Sequence, residues 1–197
     1  MSAPEPVHPL ARAAVPGPFG AATTPPLRVT LPARDIVQVM PRRGREAAFA
    51  AAMRAAFGMD PPGPGRAISA GDATAIWIQP TAWFLCAPRA AEGALAARAA
   101  AAFAGIAAVE DQSHGRTTIR ISGPNARAVL SRGCRVDLHP RAFGPGRAAS
   151  TMIAHVGCLV HQVDDAPSYD LVVFSTFAQT FLEWLLHAAA EDGLVVE

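Results

Sequence analysis

Charge is scarce in this chain. Only 17% of its 197 residues are Asp, Glu, Lys or Arg, below the usual quarter, and they nearly cancel to a net charge of +1. A near-neutral chain without a basic arm or an acidic tail is poorly suited to tracking phosphates, so no nucleic-acid partner is expected. Cysteine is sparse as well. Cys86, Cys134 and Cys158 are odd in number, far apart and without a CxxC pair, which speaks against a disulfide framework and fits free thiols in a reducing compartment. Long apolar runs are missing: Ala90 to Ala108 comes nearest, but it is mostly alanine and carries Glu92 and Arg98. No membrane span is expected. The first twenty residues lack a basic region followed by a continuous apolar run, so no signal peptide is expected and the cytoplasm is the default.

Nucleotide fingerprints are lacking too. The only G-x-G triplets, Gly63-Pro64-Gly65 and Gly144-Pro145-Gly146, have proline in the middle. No G-x-G-x-x-G leads from strand to helix, and no G-x-x-x-x-G-K-[ST] occurs, so neither familiar mode of binding a dinucleotide or nucleoside triphosphate is available.

What the chain does have is apolar bulk and pattern. Hydrophobic residues make up 51%, much of it alanine. This fits either an ordinary alanine-rich soluble domain or a subunit whose surface is partly covered by partners. Residues 1–26 are rich in Pro, Gly and Ala and show no periodicity, as expected of a flexible arm or a strap on a partner. Residues 27–197 are expected to form one α+β domain in two halves, about 27–105 and 106–197.

The periodicity predicts the elements. Short strands are expected at Leu27 to Leu31 and Asp35 to Met40. A helix over Arg45 to Phe57 would place Phe49, Met53 and Phe57 on one face and stop at Gly58. Strands follow at Arg66 to Ala70, Ala73 to Gln79 and Trp83 to Ala87, the last two as a hairpin. A second helix is expected over Ala90 to Phe103. After the turn at His114-Gly115, Arg116 to Ser122 alternates cleanly: Thr117, Ile119 and Ile121 face one way, Arg116, Thr118, Arg120 and Ser122 the other. Gly123-Pro124 opens a third helix, which Gly133 ends. Strands meeting near Gly157 and a strand over Ser168 to Phe174 come next. A capping box at Thr176 to Gln179 would start a last helix, with Phe177, Phe181, Trp184, Leu185 and Ala188 on one stripe. Helices recurring after small groups of strands predict two related βα units with antiparallel or mixed sheets covered by helices on one face.

Three clusters carry reactive letters. His155, Cys158 and His161 have zinc-like spacing, but a strand would point Cys158 away from the two histidines, and no fourth ligand follows. Asp111, Ser113 and His114 spell a hydrolase triad. They are adjacent in sequence, though, and more simply bond backbone at a strand end. Cys134, with Asp137 and His139 nearby, follows a helix C-terminus, where a thiolate is disfavoured. Tyr169 and the tryptophans Trp77, Trp83 and Trp184 lie in patterned segments and read as core or interface. The arginines of Pro41-Arg42-Arg43-Gly44-Arg45 read as a solvated loop. No catalytic, cofactor-binding or metal residue is therefore assigned.

The stretch Val109-Glu110-Asp111-Gln112-Ser113-His114-Gly115-Arg116, its alternating strand, and Ser122-Gly123-Pro124-Asn125-Ala126-Arg127-Ala128-Val129-Leu130 resemble the folate-binding aminomethyltransferase superfamily. The continuation Arg132 to Phe143, with Thr151 to His161 and the helix after Ser175-Thr176-Phe177, is similar to the gamma-subunit family of heterotetrameric sarcosine oxidases. That resemblance implies the aminomethyltransferase-like fold and a non-catalytic place beside alpha, beta and delta subunits. It also implies FAD, FMN, NAD and tetrahydrofolate on those partners rather than on this chain. The complex would demethylate sarcosine to glycine, or another N-methyl amino acid to its parent amino acid, releasing a one-carbon unit. A free-standing folate-binding module, or a small enzyme using Cys134 or His139, remains open as an alternative.

Overall fold

The computed structural model describes residues 9, 10, 13–22 and 25–197. Two sheets lie face to face, and each is covered on its far side by two helices, giving an α/β/β/α stack.

The smaller sheet has five antiparallel strands: β3 (Arg34–Pro41), β4 (Ala67–Ala70), β5 (Ala73–Gln79), β6 (Ala82–Pro88) and β7 (Ala107–Asp111), in the order β4-β5-β6-β3-β7. Its outer face packs on α1 (Glu46–Phe57) and α2 (Ala94–Ala102). Those helices are mostly alanine, so their backbones can approach the sheet closely and a few large side chains fill the gap. Phe49, Met53 and Phe57 form the buried stripe of α1, as their spacing predicts. Phe103, fully buried just after α2, lies 5.0 Å from the Phe49 ring and 5.8 Å from that of Phe57.

The larger sheet has seven strands in the order β1-β12-β2-β8-β11-β10-β9. They are β1 (Gly17–Phe19), β2 (Leu27–Thr30), β8 (Arg116–Ser122), β9 (Ala148–Ile153), β10 (Val156–Asp164), β11 (Ser168–Phe174) and β12 (Leu194–Val196). All pairs are antiparallel except β12 with β2, so the sheet is mixed. Its outer face packs on α3 (Ala126–Ser131) and α4 (Ala178–Ala188) around Ile119, Ile121, Tyr169, Leu171 and Phe181. Between the sheets, Ile36, Ile76, Phe84 and Cys86 of one meet Ala148, Leu159 and Val172 of the other. Backbone bonds join the sheets at one corner, where Ala67 N–H donates to Gly146 O at 2.8 Å and Ala148 N–H donates to Gly65 O at 3.0 Å.

Several boundaries differ from the sequence expectation. The sheets partition the chain near Gln112 rather than near residue 105, because β7 pairs with β3. β2 joins the strands of the C-terminal half instead of the N-terminal one. Part of the supposed arm is built into the fold: β1 pairs with β12, and Leu10 is fully buried. The rest of that arm lies outside the described residues. The β9–β10 turn falls at Ala154-His155, not Gly157. Both take positive φ, 49° and 65°, the twist a two-residue hairpin loop requires. The last helix starts one residue late. Ser175–Phe177 is a short 3-10 segment without a side-chain cap, so Phe177 leaves the expected stripe and is 52% exposed. α2 and α3 also begin later than their patterns suggest, after Gly93 and Asn125.

Candidate functional site

The alternation of β8 turns one whole row of polar side chains toward the other sheet. Arg120 on that row makes a two-pronged bond with Asp170 of β11, Nε to Oδ1 at 2.6 Å and Nη2 to Oδ2 at 2.8 Å. The pairing follows from register, since Arg120 and Asp170 are direct cross-strand partners. The bond to Asp170 raises the Arg120 pKa above its ordinary value. Arg34, at the start of β3, reaches the same carboxylate at 4.0 Å. His161 of β10 is buried beside this group, across from Asp170 in register. Burial pushes its imidazole pKa down, opposed by Asp170 and reinforced by Arg120 and Arg34. A second pair lies nearby: Arg89 Nε donates to the buried Asp35 Oδ1 at 2.9 Å, and its Nη2 donates to the carbonyls of Arg34 and Ser113.

This group holds the sheets in register; the side chains with reactive letters are likewise committed to structure. Ser113 Oγ accepts from Ile36 N–H at 3.0 Å, and Asp111 Oδ1 accepts from Ser113 N–H at 2.9 Å. His114 turns instead to Glu92, 3.3 Å away. The trio is therefore not in base-to-nucleophile geometry, in line with the backbone-bonding alternative. His155 sits at the tip of the hairpin, while His161 and Cys158 point to opposite faces of β10. Burial raises all three thiols, Cys86 to about 12, which keeps them protonated and unreactive at neutral pH. Asp137 Oδ1 accepts from His139 N–H at 2.9 Å, and His139 Nδ1 accepts from Arg141 N–H at 3.2 Å, so that segment is a bonded turn. Trp83 donates its Nε1–H to Pro62 O at 2.8 Å, and Tyr169 is wholly buried in the larger core.

Two open clefts flank the β9–β10 hairpin. One, of 470 Å³, is walled by Trp184, His155 and Arg135 on the α4 side. The other, of 310 Å³, opens at the end of the inter-sheet space between Phe84, Ile78, Arg116 and Phe174. The Arg116 guanidinium lies 3.5 Å over the Phe174 ring. Neither cleft was singled out from the sequence. The one available signal was the alternation that put Arg116 and Arg120 on a single face.

The sarcosine oxidase gamma subunit family matches residues 43–191. The sarcosine oxidase subunit gamma of an Arthrobacter species is 35% identical over 159 residues, which cover 79% of this chain and 74% of the relative. That of Corynebacterium sp. (strain P-1) is 34% identical over 117 residues, 59% of this chain and 56% of the relative. Among solved structures, the fold is similar to a chain of the heterotetrameric sarcosine oxidase from Corynebacterium sp. U-96 in complex with pyrrole 2-carboxylate. The TM-score is 0.81 at 24% identity, covering 94% of this chain and 95% of that one. It is also similar to the glycine cleavage system aminomethyltransferase T from Bartonella henselae. There the TM-score is 0.62 at 14% identity, covering 87% of this chain and 47% of that one. These two likenesses concern the fold.

Proposed function

The chain belongs to the sarcosine oxidase gamma subunit family, and from that premise we propose that it is an assembly subunit of a heteromeric amine-oxidising complex. In this role it performs no bond-making of its own. Larger alpha and beta chains and a delta chain carry FAD, FMN, NAD and tetrahydrofolate and oxidise sarcosine or another N-methyl amino acid. The one-carbon unit released passes to tetrahydrofolate on a neighbouring subunit. The observation that carries this reading is the family match across most of the folded chain. The local chemistry supports it. Ser113, Asp111 and Asp35 are bonded into the scaffold, and the buried thiols are held protonated. Meanwhile Met152, Phe174 and Phe177 stand 44–52% exposed, as side chains that a neighbour would cover do.

The test is expression of the tagged chain with and without the larger alpha and beta subunits of the proposed complex. The expected result is a colourless, inactive chain alone and a yellow, amine-oxidising complex when co-expressed. An isolated chain that binds tetrahydrofolate tightly, or turns over an N-methylated amine unaided, would overturn the reading.

A further inference from the structure

The end of the larger sheet reaches past the smaller one and leaves a shelf. On it, Met152 of β9 pairs with Gly157 of β10, and Phe174 of β11 pairs with Arg116 of β8. Met152 is 44% exposed and Phe174 45%. Between their strands, Gly157 is exposed, and a Cβ built on it would meet nothing within 4 Å, so the shelf has a dip at its centre. Phe84 and Ile78 of the smaller sheet close the inner wall of the 310 Å³ groove.

The shelf is rigid and oddly charged. Ser175, just beyond Phe174, is tied down by its Oγ, which donates to His114 O at 2.9 Å and bonds Thr117 Oγ1 at 2.9 Å. Arg116 stacks on Phe174 and lies 5.4 Å from the Phe84 centroid. It makes no ion pair among the described residues, unlike Arg120 two positions along the same face. Its Nε is buried without a hydrogen-bond partner. A half-buried guanidinium held over aromatic rings is a poorly hydrated cation, and burial disfavours its charge. A carboxylate arriving from outside would satisfy it, and apolar groups beside that carboxylate would cover the exposed Phe174 ring.

Resting on the assembly role above, we propose that this groove seats a segment of a different, larger protein chain that carries an Asp or Glu flanked by aliphatic or aromatic side chains. The carboxylate pairs with Arg116, and the apolar flank fills the dip at Gly157 between Met152 and Phe174. Charge complementarity selects the occupant: the groove offers one cation without an ion-pair partner among the described residues, set between apolar side chains and the neutral polar Gln38, Gln79, Ser150 and Thr151.

The experiment uses the full-length tagged chain co-expressed with the larger alpha and beta subunits of the proposed complex, and weighs the flavin-bearing chains recovered with it. Arg116→Glu is expected to lower recovery by at least about tenfold, because it sets like charges together in a desolvated contact. Gly157→Trp is expected to do the same by filling the groove. Its backbone conformation and open surroundings accept a side chain, so the thermal midpoint of the free chain should hold. Hydroxyl-radical labelling of wild type should show Met152 and Phe174 protected in the complex and labelled in the free chain. Full recovery of partners with both variants, or labelling of Met152 and Phe174 unchanged by assembly, would overturn the groove while leaving the assembly role standing. A wild-type chain that recovers no flavin-bearing partner overturns both. A wild-type homodimer that Gly157→Trp converts to monomer would give the groove to a second copy and overturn the proposed occupant.

Discussion

The two α-on-β halves solve the same packing problem with different side chains. In the five-stranded half, small alanines on α1 and α2 let the helices lie close, and a tight aromatic group of Phe49, Trp83, Phe103 and Phe57 fills the space. In the seven-stranded half, α4 carries its own bulk in Phe181, Leu182 and Leu185, packed against β-branched strand residues and Tyr169. Their inner faces differ more. The smaller sheet presents Ile36, Ile76, Phe84 and Cys86, whereas the larger one presents Arg116, Thr118, Arg120, Asp170 and His161 beside its apolar residues. The first half is held chiefly by shape, with one buried pair, Arg89–Asp35, at the start of β3. The second adds charge, which fixes relative position because an ion pair works only in one register.

Breaking the aromatic group should have the largest effect. Phe103→Ala removes a fully buried ring that touches both Phe49 and Phe57, and alanine neighbours cannot close the hole. A loss of about 3–5 kcal/mol is expected, read as a lower urea midpoint at an unchanged slope. A smaller effect is expected in the other half. Asp170→Ala leaves Arg120 and Arg34 without the carboxylate they share between the sheets. The expected loss is about 2 kcal/mol, short of the ~3–5 kcal/mol of a fully buried pair, because Arg120 keeps part of its side chain in solvent. Urea unfolding measures both on one scale, and an Asp170→Ala loss exceeding that of Phe103→Ala would reverse the ranking of shape over charge.

The mildest perturbation needs no substitution. His161 has a folded pKa below its ordinary 6.5, chiefly because burial disfavours the charged ring. As pH falls through 6.5, the unfolded chain takes up a proton that the folded chain still refuses. The unfolded state then binds more protons, so stability is complete above 6.5 and declines between there and the lower folded pKa. Urea midpoints measured across that window should fall with pH, and His161→Gln should flatten the slope.

Much of the architecture was legible locally. The RTTIRIS alternation assigned β8 and the facing of each of its residues, and the four-residue recurrence of Phe49, Met53 and Phe57 assigned α1 and its buried stripe. Where local signals competed, the sequence misled. Gly157 drew the turn away from Ala154-His155, because glycine is the usual residue for positive φ, yet the pairing of Ile153 with Val156 places the turn two residues earlier. Phe177 matched the helical period of α4 and still lies outside that helix, in the 3-10 segment after β11. Arg116 and Phe174 were each assigned to strands, but nothing in either segment says that they meet.

The sequence by itself determined that this is an α+β chain of two helix-covered sheets, since hydrophobic period is a property of neighbours along the backbone. It also determined the family, through residues 43–191. Tertiary structure alone decided that β2 crosses to the far half, that Arg120 finds Asp170 fifty residues on, and that Arg116 ends over the exposed Phe174 ring with no ion pair among the described residues. Those outcomes depend on strand order and register between distant segments, and such contacts leave no trace in the spacing of either segment read alone.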